Sequence, residues 1–75
     1  MSRLSNLPLG AEARVVEVEG TDELAVRLME MGLTPGTELQ VLGVAPLGDP
    51  LELIVRGYRL SIRRSEAARV GIEPL

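Results

Sequence analysis

The sequence predicts a small, mainly β fold with one helix, and three observations carry that reading. Five short segments are rich in Val, Ile and Leu and are bounded by Gly and Pro, as strands joined by tight turns are. A single stretch, 22–31, places apolar residues at helical spacing. The chain has only 75 residues and no cysteine, so residues 1–75 form one domain that must hold together by its core alone. That core has to come from the 45% of apolar residues, nearly all aliphatic, because Tyr58 is the only aromatic.

Taken in order, residues 14–19 are β-branched and half alternating, which predicts a strand with Val16 and Val18 inward and Val15, Glu17 and Glu19 outward. Thr21 or Asp22 then caps a helix reaching about Met31, with Leu24, Ala25, Leu28 and Met31 on its core face. Glu23, Arg27 and Glu30 form its polar stripe. Gly32 is the expected left-handed residue after the helix, with Leu33 packing back. Thr34-Pro35-Gly36-Thr37 carries a turn, since Pro presets the first central φ and Gly accepts a positive second one. A strand from Glu38 to Leu42 follows with Leu39 and Val41 inward, and Gly43 marks a bulge. Ala45 to Pro50 must be a loop.

Leu51–Arg56 and Arg59–Arg63 read as a hairpin around a Gly57-Tyr58 turn, burying Leu53, Val55, Leu60 and Ile62. Ser65–Ala68 suits one helical turn capped by Ser65, and Val70–Ile72 is a last strand stopped by Pro74. Five short strands in so small a chain favour a closed arrangement that hides strand edges. The expected architecture is a small SH3-like five-stranded β-barrel plus a short helical turn.

Composition excludes most chemistry. With no His and no Cys there is neither a Ser-His nor a Cys-His pair, and no soft metal site. With no Lys there is no phosphate-cradling Walker loop, and the glycines are scattered as turn residues. Glu17 and Glu19 would share a strand face about 7 Å apart, a spacing carboxylate chemistry can use. Asp49 and Glu52 could join a weak carboxylate metal site. An ordinary solvated surface explains all four equally well. The expectation is no enzyme activity, no metal site and no tightly bound cofactor.

A net charge of −3 and the lack of aromatics disfavour nucleic acid as a partner. The longest uncharged run, Leu39–Gly48, is too short to span a bilayer, and residues 1–8 do not form a signal peptide. A cytoplasmic location without membrane insertion is expected.

What remains is binding. With inward positions assigned, Val15, Leu42 and Ile54 point outward, Leu47 lies on a loop and Met29 at the helix edge. Either the helix and the Leu4-Leu7-Leu9 segment cover them, or some form a docking patch. Tyr58 at the hairpin tip and Arg56, Arg59, Arg63 and Arg64 around it would suit an acidic partner. The expected docking surface comprises Leu47, Gly48, Asp49, Pro50, Arg56, Tyr58, Arg63 and Arg64. A second copy of the chain in a weak homo-oligomer could also cover such a patch.

Specific strings sharpen this. Arg27-Leu28 with Met31-Gly32-Leu33, then Pro35-Gly36, the 45–50 loop and Arg63-Arg64-Ser65-Glu66-Ala67, in this order and spacing, resemble the FeoA family of ferrous iron transport proteins. Residues 4–20 resemble that family's opening, so the likeness covers almost the whole chain. It implies an SH3-like barrel and an accessory role in bacterial Fe(II) uptake. The implied partner is FeoB, the membrane transporter with a cytosolic GTP-binding domain, and Fe(II) enters through the pathway only. Similar domains end the DtxR-type metal-dependent repressors, so the alternative is a metal-responsive regulatory domain with weak carboxylate ligands. An arginine that stimulates GTP hydrolysis is a third reading.

Overall fold

A computed structural model describes residues 2–75. Its strands are β1 (Ser2–Arg3), β2 (Glu12–Val18), β3 (Glu38–Val44), β4 (Leu51–Val55), β5 (Tyr58–Ile62) and β6 (Val70–Pro74). Helix α1 spans Glu23–Glu30 and α2 spans Arg64–Ala67, with 3-10 turns at Leu4–Asn6 and Pro46–Gly48. All strands pair antiparallel in one sheet, ordered β1-β6-β2-β3-β4-β5. The mainly β, SH3-like expectation holds, with six strands rather than five. The additional strand is β1, where Ser2 and Arg3 pair with Ile72 and Gly71.

The sheet wraps one core of Leu4, Val15, Leu28, Leu33, Leu39, Val41, Leu51, Leu53, Val55, Ile62, Val70 and Ile72. Small side chains at Ala13 and Ala67 complete it. Strand β2 corrects the expected facing. Val15 is 1% exposed and Val16 39% exposed, the reverse of the simple alternation. The cause is a bulge: Val15 pairs with Ile72 and Glu17 with Gly71, leaving Val16 as the extra residue. One inserted residue flips the face, so Val18 is again turned towards the core. The bulge anticipated at Gly43 is present, between Val41 and Gly43.

Helix α1 ends as its sequence demands. Asp22 caps it, accepting the Ala25 N–H at 3.3 Å. At the other end Gly32 adopts φ +107°, the Gly32 N–H bonds the Met29 carbonyl and the Leu33 N–H bonds that of Leu28. This double closure carries Leu33 into the core. The Thr34–Thr37 turn closes with a 3.0 Å bond from the Thr37 N–H to the Thr34 carbonyl.

Further expectations shift by a residue or two. The hairpin turns on Arg56-Gly57, with Val55 opposite Tyr58. Both central φ values are positive, +51° and +84°, which is the twist that two-residue hairpins favour, and Gly takes the second position. Leu60 on β5 is half-buried rather than buried. Helix α2 is capped at Arg63, not Ser65, because Glu66 three residues on reaches back to accept the Arg63 N–H at 2.8 Å. Strand β6 continues through Pro74, opposite Ala13. Of the segment expected to cover outward apolar residues, Leu4 is buried, Leu7 packs on the core and Leu9 is exposed.

Candidate docking surface

The 45–50 loop is built to present one side chain. Pro46 starts a 3-10 turn, and Leu47 follows in the left-handed region at φ +76°. A leucine there costs about 1 kcal/mol relative to its preferred backbone. That conformation leaves its side chain fully exposed. The loop is nevertheless well held. The Ala45 N–H bonds the Pro50 carbonyl at 3.0 Å, and the Gly48 N–H bonds that of Ala45 at 2.9 Å.

Arg64 completes the clamp. Its backbone N–H donates to Asp49 Oδ1 at 2.9 Å, its Nε to the Gly48 carbonyl at 3.0 Å and its terminal NH1 to the Ser5 carbonyl at 2.6 Å. One guanidinium thus ties the loop to the 3-10 turn after β1, across the opening between the two ends of the sheet. A planar fork of fixed donors suits this bridging task. Leu47 stands on a rigid support as a result.

The eight residues expected to form one surface lie at two ends of the β4–β5 hairpin. Leu51 pairs with Ile62, which brings Leu47–Pro50 beside Arg63 and Arg64. Val55 pairs with Tyr58, which puts Arg56 and Tyr58 at the other end, about 13 Å along the strand. Arg56 donates to the Thr34 and Thr37 hydroxyls at 3.2 and 3.0 Å. Tyr58 donates its hydroxyl to the Met31 carbonyl just past α1. Both therefore brace the hairpin against the α1–β3 connection while keeping exposed surface.

Other groups are taken up structurally. Arg69 makes a two-pronged pair with Asp22 at 2.7 and 2.8 Å. That pairing, with the Ala25 N–H, lowers the Asp22 carboxyl to about 2, and Asp22 in turn raises Arg69 further. Glu19 pairs with Arg3 at 2.7 Å, and Arg14 with Glu38 at 3.1 Å. Among the described residues no three carboxylates gather where a metal ion could be held. No helix among them is long and apolar enough to cross a membrane.

The expected docking surface leaves out Ser61 and Arg59, although Arg59 belongs to the arginine cluster around the hairpin; both lie on β5, an end strand of the sheet. The signal was available in the alternation Arg59, Ser61, Arg63 along one strand, set in an otherwise acidic chain.

Comparison with known proteins places this geometry in context. The family model for the FeoA domain matches residues 2–74. The chain is 39% identical over 71 residues to a Porphyromonas gingivalis Fe(2+) transport protein A/Fe(2+) transporter FeoB fusion protein. That match takes in 95% of the chain and 8% of the fusion, so the chain spans only a small part of its relative. The solution structure of a FeoA protein from Chlorobium tepidum superposes with a TM-score of 0.90 at 40% identity, covering 99% of this chain and 70% of that one. Stenotrophomonas maltophilia FeoA in complex with zinc, described as a prokaryotic SH3 domain protein, superposes at 0.85 with 36% identity, over 97% and 91% of the two chains. A manganese-dependent transcriptional repressor shares the fold alone, at 14% identity and a TM-score of 0.89.

Proposed function

The chain belongs to the FeoA domain family, and on that premise we propose that it is a cytoplasmic accessory protein of ferrous iron uptake that acts by docking on a FeoB-type transporter. The observation that carries this reading is the fusion: a relative 39% identical over 95% of the chain has its FeoA part joined to FeoB. Covalent joining keeps two modules at an effective concentration in the millimolar range, which favours contact between their surfaces. This chain would reach the same encounter through its own binding surface.

The surface proposed for it is the Leu47–Pro50 loop with Arg63 and Arg64, extended along β5 to Tyr58 and Arg56. Leu47 supplies the apolar anchor, and the arginines set its charge preference. Anchors of this kind dominate interface energies when a partner pocket desolvates them. The role is binding rather than catalysis.

A resident metal does not fit this chain. It has no His or Cys to hold zinc, and the Asp49 carboxylate is engaged by the Arg64 N–H. Fe(II) is the cargo of the pathway, and no step here passes through it. The test is a binding isotherm against the intact transporter immobilised in lipid nanodiscs, comparing the wild type with Leu47→Asp. Saturable binding that the substitution weakens severalfold supports the reading; equal affinity of the two proteins refutes it.

A further inference from the structure

Strand β5 is the last strand of the sheet and has β4 as its only neighbour. Because Val55 and Tyr58 flank a two-residue turn, they exchange hydrogen bonds, and so do Leu53 with Leu60 and Leu51 with Ile62. Arg59 and Ser61 lie between those pairs. Their main-chain N–H and C=O groups therefore point away from β4, and among the described residues nothing bonds them. Both residues are exposed.

The charges along this edge are as unusual as its open hydrogen bonds. Six of the eight arginines are committed: Arg3, Arg14, Arg27 and Arg69 pair with carboxylates, while Arg56 and Arg64 bond hydroxyls and carbonyls. Among the described residues only the side chains of Arg59 and Arg63 have no such partner, and both flank the free edge. Among the described residues, a chain of net charge −3 thus leaves its uncommitted cations along β5, an end strand with one edge open.

We propose that this edge receives an extended acidic segment of the partner, which adds a strand beside β5 through the main-chain groups of Arg59 and Ser61 and is selected by Arg59 and Arg63. Strand addition supplies affinity through main-chain bonds and specificity through alternate side chains. In the register centred on Ser61 a second copy of this chain fits poorly. Two β5 strands paired antiparallel about Ser61 set Arg59 opposite Arg63, and like charges directly opposite destabilise a sheet. The proposal rests on the docking reading for the identity of the partner, but its chemistry can be tested without it.

The test has two arms, read by amide hydrogen exchange and affinity. In the first, a capped peptide of alternating Glu and Val is added to the full chain, with a Lys and Val counterpart as control. The expected result is slowed exchange at the Arg59 and Ser61 amides with the acidic peptide only. Ser61→Pro deletes one outward N–H at an edge position where proline is tolerated, and should weaken binding about five- to tenfold. The pair Arg59→Glu and Arg63→Glu, which leaves the ladder intact, should abolish it. Unchanged exchange, an equal response to the Lys peptide, or a dimer that Ser61→Pro dissolves would overturn the proposal.

In the second arm the probe is the intact transporter in nanodiscs. Binding weakened by Leu47→Asp and untouched by both β5 variants overturns the edge proposal and leaves the docking reading standing. Acidic peptide seated on β5 with no transporter binding upholds the edge and removes FeoB as its partner.

Discussion

Tyr58 and Gly32 meet where the hairpin crosses the end of α1. The phenol hydroxyl bonds the Met31 carbonyl, and a Cβ on Gly32 would collide with that same oxygen. Gly32 also has φ +107°, which side chains rarely adopt. Gly32→Ala is therefore expected to cost about 2 kcal/mol or more, combining backbone strain with the collision. Tyr58→Phe loses one hydrogen bond, about 1 kcal/mol. Because the Phe variant removes the oxygen in the way, Gly32→Ala should cost less in that background. Chemical denaturation of the two single variants and the double variant measures this coupling; strict additivity would contradict the contact.

Leu47 separates stability from binding. Its side chain is fully exposed and its φ is positive, so Leu47→Gly should raise stability by about 1 kcal/mol. The same substitution removes the apolar anchor and should weaken partner binding. A thermal melt and a binding isotherm on one preparation check both halves. A destabilised Leu47→Gly protein would mean that the loop conformation is being maintained by the side chain itself.

How far the sequence could be read is clearest at β2 and β5. Gly32, the Thr34–Thr37 turn and the Gly43 bulge were legible because each is a local backbone requirement with its own residue signature. Val15 and Val16 were not. Either of two adjacent valines can face inward, and the choice is made by the bulge against β6, a strand that arrives more than fifty residues later. Strand β1 was missed for the same reason, since Ser2 and Arg3 carry no strand signature and pair only with the far end of the chain. At the proposed surface the cluster of arginines was visible, but not which were free. Arg64 and Arg56 turn out to be tied to Gly48, Ser5, Thr34 and Thr37, while Arg59 and Arg63 have no such side-chain partner among the described residues.

Within the proposed surface, Arg64 should also act as a support for Leu47. Arg64→Ala removes side-chain bonds to the Gly48 and Ser5 carbonyls and is expected to cost about 1–2 kcal/mol, with faster amide exchange across residues 46–49. Lysine cannot make both bonds in one plane, so Arg64→Lys should restore less than half of the loss. Full rescue by lysine would show that charge alone matters there.

The Asp22–Arg69 pair predicts a pH dependence. The Asp22 carboxyl sits at about 2, below its ordinary value of 3.8, so ionised Asp22 favours the folded state. Its contribution is complete above pH 3.8 and is lost as pH falls towards 2. The stability difference between the wild type and Asp22→Asn should be constant near neutrality and shrink through that acid window. A difference independent of pH down to 2 would contradict the pairing.

The proposed docking on a FeoB-type transporter uses the 47–50 loop and the adjoining β5 edge. Its most direct test is an amide NMR spectrum of the isotope-labelled chain recorded with the intact transporter in lipid nanodiscs. Binding to so large a particle attenuates signals first at the contact. Docking there would cause loss of intensity centred on residues 46–50 and 59–63, reversed by excess unlabelled chain. Undiminished signals at saturating transporter, or attenuation confined to the opposite face around α1 and β2, would contradict it.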